Sequence, residues 1–278
     1  MKKIFDTIIF SNFYIALAAV MMCYTSQRLF GLFFDKKLAV FVFFATLCSY
    51  SLHWFLTSNE LKTPRMTWTN NNRNLLKLLF LVGAAGTSIS FFYLFSLWKI
   101  ILPLALLTFF YTAPKIPFRF FYFLKGFAAA KTFYLAIVWF CVTVVLPFEN
   151  AKIIWTNELF LFATNRFLLI VTVCILFDYR DRDEDFGIKN FITYFDEKKL
   201  NIAFYFNTFC FAFTCFLLKN TFSYFETFAL VLPFFVLAST FFISKKTKNE
   251  YWFYVVLDGV MMLSGIILTN WKIVELGN

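Results

Sequence analysis

Glycine and proline are scarce in this chain, 8 and 6 residues of 278, and only 15% of its residues are charged. A soluble domain carries about 25% charged and about 45–50% apolar residues, whereas 61% of this chain is apolar. No soluble fold has enough interior to hide that excess, which excludes a soluble α/β enzyme, a disordered chain and a coiled coil. So few breakers among so much apolar side chain also exclude the short alternating strands of a β-barrel and leave long helices in lipid. There is one histidine, His53, and the six cysteines form no CxxC pair. Each cysteine lies in an apolar run, which argues for small packing residues rather than a zinc site or a disulfide frame. The net charge of +10 is dispersed between hydrophobic runs. That pattern speaks against nucleic acid and for anionic lipid headgroups or an anionic substrate.

What is present in abundance is aromatic: 45 Phe, 13 Tyr and 7 Trp. Apolar runs of about 17–25 residues predict an all-α, polytopic membrane bundle of nine transmembrane helices in a single domain over 1–278. The spans fall at roughly 8–30, 38–57, 75–95, 97–111, 126–147, 157–178, 201–218, 222–243 and 251–271. With the N-terminus inside, the loops divide their Lys and Arg 18 inside to 7 outside, and Arg166 stays within a span. This matches the positive-inside rule. The expectation is a multi-pass protein of the bacterial cytoplasmic membrane with a cytoplasmic N-terminus. Asp6, Ser11 and Asn12 interrupt what would be the apolar core of a secretory signal, so the first helix is expected to be retained.

Two inner loops carry the chemistry. One runs Asp178-Tyr179-Arg180-Asp181-Arg182-Asp183-Glu184-Asp185-Phe186-Gly187-Ile188-Lys189. At about 100° per residue, Asp178, Asp181 and Asp185 share one face of an extended sixth span. Three carboxylates so close repel one another, and a divalent cation relieves the repulsion; oxygen-only ligands select magnesium or calcium. A solvated helix end with an Asp178–Arg182 pair is the plainer alternative. The other loop, Tyr111-Thr112-Ala113-Pro114-Lys115-Ile116-Pro117-Phe118-Arg119 and on to Lys125, sets three cations on a proline-bent linker among aromatic rings. A leaving diphosphate needs such cations.

Together these loops resemble the UbiA family of intramembrane prenyltransferases. Asp178-x-Arg180-Asp181-xxx-Asp185-x-Gly187-x-Lys189 is similar to that family's second aspartate motif. Tyr111-xx-Pro114-Lys115 with Lys125 and Lys131, running into Trp139 and Pro147, is similar to its loop after helix four. The resemblance implies a UbiA-like nine-helix fold and magnesium held by Asp178, Asp181 and Asp185. It also implies an isoprenyl diphosphate held by Lys115, Arg119 and Lys125, with Tyr111, Arg180 and Lys189 beside it. The activity implied is transfer of the isoprenyl group to an aromatic or other lipophilic acceptor, with membrane lipids around the bundle.

The family's first motif has no aspartate counterpart here. In the natural register Ser49, His53 and Thr57 take its positions at i, i+4 and i+8, with Glu60 near the same face. Neutral imidazole suits zinc, copper or iron better than magnesium, and His53 also reads as a hydrogen-bonded group within a bundle. A catalytically inactive homologue that binds a lipid diphosphate or a protein partner is therefore the second reading. A small transporter using Arg166 and Asp258 is the third, and it lacks the repeats and Gly/Pro-broken helices that would support it.

Overall fold

The computed structural model describes residues 2–57, 63–116, 131–181, 197–244 and 249–275; for residues 131, 132, 178, 181 and 270–275 it describes the backbone only. Among the described residues the chain is helical: α1 (Lys2–Phe10), α2 (Phe13–Leu29), α3 (Lys36–Phe55), α4 (Pro64–Asn71), α5 (Arg73–Tyr93) and α6 (Trp98–Thr112) form its first half. The second half is α7 (Lys131–Phe140), α8 (Leu146–Asn150), α9 (Asn157–Asp181), α10 (Glu197–Leu218), α11 (Tyr224–Ser244) and α12 (Glu250–Glu275). Among the described residues eight helical segments are long and apolar enough to cross a membrane, and α1 with α2, bent by 53°, makes a ninth when the pair is taken as one span. These coincide with the nine spans expected from the sequence. The protein is a multi-pass integral membrane protein.

The most buried span is α9, with 67% of its apolar window inside the protein, against 22% for α5. α9 is thus the central post and α5 a lipid-facing wall. α5 still lies close against α3: a Cβ added at Gly83 would come within 2.7 Å of the Cys48 backbone nitrogen. Small residues allow such close approach where lipid supplies no hydrophobic drive for helix pairing. Asp35 starts α3 as its N-cap, accepting the N–H groups of Lys37 (2.8 Å) and Leu38 (3.1 Å).

Two prolines create backbone vacancies that other helices fill. Pro147 has no N–H for the carbonyl of Thr143, four residues earlier, and residues 141–145 between α7 and α8 open into a π-helical turn. The Ser26 hydroxyl on α2 donates to that Thr143 carbonyl at 2.7 Å. Pro233, inside α11, likewise leaves the Ala229 carbonyl unserved, and Ser264 on α12 donates to it at 2.8 Å. In hydrocarbon an orphan carbonyl is costly. Ser26→Ala and Ser264→Ala should each cost about 0.6–2 kcal/mol, measurable as a lower melting temperature in nanodiscs. A neutral substitution at both sites would refute the account.

One stretch departs from the sequence expectation. Residues 58–77 read as an inner loop, but α4 lies within it and α5 begins at Arg73. The signals are local: Thr63 accepts the Met66 N–H at 3.3 Å as N-cap, and Pro64 takes the first turn, where its missing N–H costs nothing. The proline-bent linker also begins in helical form, with a 3-10 turn over Ala113–Lys115.

Candidate functional site

A cavity of about 520 Å³ opens between α2, α3, α6, α7, α9 and α12. That lies within the roughly 300–1,000 Å³ of ligand pockets. Its body is apolar and aromatic, with Ile15, Phe41, Ile101, Leu104, Trp139 and Met261 among its walls. Its polar end gathers three cations, Lys115, Arg65 and Arg180.

Lys115 is carried there by the 3-10 turn that ends α6. Its Nζ donates to Thr57 Oγ1 at 2.5 Å and lies 2.7 Å from His53 Nε2. With the ammonium donating, Nε2 is the acceptor, and the imidazole carries its own hydrogen on Nδ1. Tyr111 stacks on the His53 ring at 5.0 Å between centroids, and Trp54 lies 5.7 Å below the ammonium. Ser49, His53 and Thr57 all face the cavity, one helical turn apart. An ammonium is thus seated against two of these three residues, with His53 and Thr57 as its acceptors. A hydroxyl, an imidazole and a lysine do not make a magnesium site, so this wall of the cavity does not fit the metal.

Arg65 was a loop cation in the sequence; here it is a buried cavity residue, 2% exposed. Asn12, in the left-handed conformation (φ 70°) at the break between α1 and α2, turns its side chain to accept from Arg65 Nη2 at 2.7 Å. The Arg65 backbone N–H donates to Glu250 Oε2 at 2.8 Å, and its guanidinium lies 4.2 Å over Trp54. Burial lowers the Arg65 guanidinium to about 10, against the opposing pull of Tyr254, Asp258 and Glu250. It remains cationic at neutral pH. The N-cap threonine and the proline after it could have revealed α4, but no local signal points Arg65 at Asn12.

Arg180 ends the cavity face of α9, with its guanidinium 4.8 Å over Tyr254 and 5.1 Å over Phe177. Ile170, Cys174 and Phe177 line the cavity from the same helix. At about 100° per residue, position 181 continues that stripe and position 178 falls at its edge. The side chains of Asp178 and Asp181, and the whole of Glu60, Arg119, Lys125, Asp185 and Lys189, lie outside the described residues. Among the described residues no three His, Cys, Asp or Glu side chains are grouped as a metal site.

The two intramembrane charges separate. Asp258 lines the cavity. Arg166 is 2% exposed, stacks 5.1 Å over Phe162 and is not among the cavity's walls.

Sequence comparison matches the chain to no family model and to no curated protein. Its structure is similar to the apo structure of a UbiA homologue from Aeropyrum pernix K1, with a TM-score of 0.65 over 94% of this chain and 98% of that one, at 12% identity. The chain has a UbiA-like fold.

Proposed function

We propose that this protein is a membrane prenyltransferase that moves an isoprenyl group from a prenyl diphosphate to an aromatic or other lipophilic acceptor. The observation that supports the reading best is the cavity: apolar and aromatic along its body, cationic at one end through Lys115, Arg65 and Arg180. A prenyl diphosphate has that polarity, an apolar tail joined to a concentrated anion. In this reading the diphosphate lies against the three cations, with Lys115 held in place by His53 and Thr57. Fixed cations stabilise the charge that grows on the leaving oxygens as the allylic C–O bond breaks, and they do so without rearranging. The aromatic walls exclude water, and Trp139 and Tyr50 line the space in which an allylic cation would form.

Asp178, Asp181 and Asp185 are hard carboxylate donors that suit magnesium, which would supply further neutralisation of the diphosphate. The polar end is assigned to the cytoplasmic side, with the N-terminus, on the 18-to-7 division of loop cations. One observation favours the second reading, an inactive homologue that binds a lipid diphosphate. Ser49 and His53 of α3, and Thr57 just beyond its end, line the cavity, and none of them is a carboxylate.

The test is binding of radiolabelled geranylgeranyl diphosphate to the purified protein in nanodiscs, with and without magnesium. Saturable binding displaced by inorganic diphosphate is expected in both conditions, tighter with the metal. No saturable binding in either condition would refute the proposal.

A further inference from the structure

The cavity holds a second polar feature that a diphosphate does not use. On α12 the residues facing it are Glu250, Tyr254, Asp258 and Met261, a stripe at helical spacing. Glu250 is occupied by the Arg65 backbone N–H. Asp258 is 7% exposed, borders the cavity, and receives no hydrogen bond from the described residues. The charges that bear on it are those of Arg180 and Arg65. Yet Arg65 donates to Asn12, and Arg180 stacks over Tyr254 and Phe177.

The surroundings are built for close packing next to it. Tyr14 donates to the Val255 carbonyl at 3.0 Å, and Gly259 makes room, since a Cβ there would come within 2.7 Å of the Tyr14 hydroxyl. A carboxylate in a membrane bundle with no donor is expensive. Buried polar groups normally find partners. Here the space in front of the carboxylate is the cavity itself, so the missing donor is one a ligand can bring.

We propose that Asp258 is a specificity-determining residue for the second substrate, and that it accepts a hydrogen bond from that substrate's hydroxyl. The aromatic walls beside it, Tyr50, Trp139 and Tyr254, suit a ring, so the class recognised is a phenol with a lipophilic substituent. A fully etherified acceptor is selected against, because it brings Asp258 no donor. This assignment rests on the prenyltransferase reading.

The experiment uses the full chain in nanodiscs with geranylgeranyl diphosphate present, and reads the affinity for 4-hexylphenol and for its methyl ether from thermal shifts. The parent should prefer the phenol by about 10–100-fold. Asp258→Leu, which has no acceptor, should reduce that preference to near unity, and Asp258→Asn, which keeps an acceptor oxygen, should reduce it only in part. Asp258→Leu should melt no lower than the parent, because it removes a buried carboxyl group that receives no hydrogen bond from the described residues. Three results would overturn the proposal: no phenol preference in the parent, a preference unchanged in the variants, or an Asp258→Leu protein that unfolds or melts well below the parent. The last would make Asp258 a structural counter-ion to Arg65 and Arg180. Failure of the prenyltransferase reading is seen separately, as absent geranylgeranyl diphosphate binding in a parent that still discriminates phenol from ether.

Discussion

Replacing Lys115 by methionine is expected to weaken geranylgeranyl diphosphate binding by about 2–5 kcal/mol, on the order of a hundredfold or more. Methionine keeps the length and apolar stem of the side chain and deletes only the charge, so loss of fold is not the expected cause. The loss should be similar with magnesium and with chelator, because the ammonium is a resident cation held by His53 Nε2 at 2.7 Å and Thr57 Oγ1 at 2.5 Å. His53→Ala should have a smaller effect, about 1 kcal/mol, since the charge stays while only one of the groups that hold it goes. Titration calorimetry on the three proteins checks the order. Equal binding by parent and Lys115→Met would remove the diphosphate from this end of the cavity.

Asp181→Asn is expected to abolish the magnesium-dependent part of diphosphate binding, leave the Lys115-dependent part, and slow prenyl transfer by about 10²–10³. The warrant is positional. Position 181 continues the stripe of α9 on which Ile170, Cys174 and Phe177 line the cavity, and a single α9 turn joins it to Asp178. Because the described residues on the α3 side of the cavity hold the Lys115 ammonium between His53 and Thr57 and include no carboxylate, the metal-dependent part of binding is expected to fall on Asp178, Asp181 and Asp185. The measurement is binding of the radiolabelled diphosphate against magnesium concentration, with product formation as the second readout. Unchanged metal dependence in Asp181→Asn would end the enzyme reading and leave the inactive lipid-diphosphate binder.

The site was legible in the sequence where chemistry is written locally. Tyr111, Lys115 and Arg180 belong to short polar segments between apolar runs, where a membrane protein gathers its loop cations. His53, Ser49 and Thr57 were legible as one helix face, since spacing alone puts residues i, i+4 and i+8 in line. That Lys115 would sit among them was not, because the contact joins residues 62 apart in sequence. Arg65 was hidden further. It looked like one loop cation among many, and its burial depends on the left-handed Asn12 at one end of the chain and on Glu250 at the other.

The nine spans follow from the lengths of the apolar runs, because lipid demands an uninterrupted apolar length for each crossing and tolerates no exposed backbone. Where backbone carbonyls are orphaned is likewise written in the sequence, since Pro147 and Pro233 have no N–H to give whatever surrounds them. Which hydroxyl answers each carbonyl follows from how the helices pack. Ser26 reaches the Thr143 carbonyl across 117 residues of sequence, and Ser264 reaches that of Ala229 across 35. The same division holds for charge. Composition requires that an aspartate in a span find a partner or a cavity, but helix packing gave Asp258 the cavity and set Arg166 against Phe162. Helical periodicity fixes which residues share a face, whereas the neighbour met by that face follows from side-chain volumes on helices distant in sequence, such as the missing Cβ of Gly83 beside Cys48.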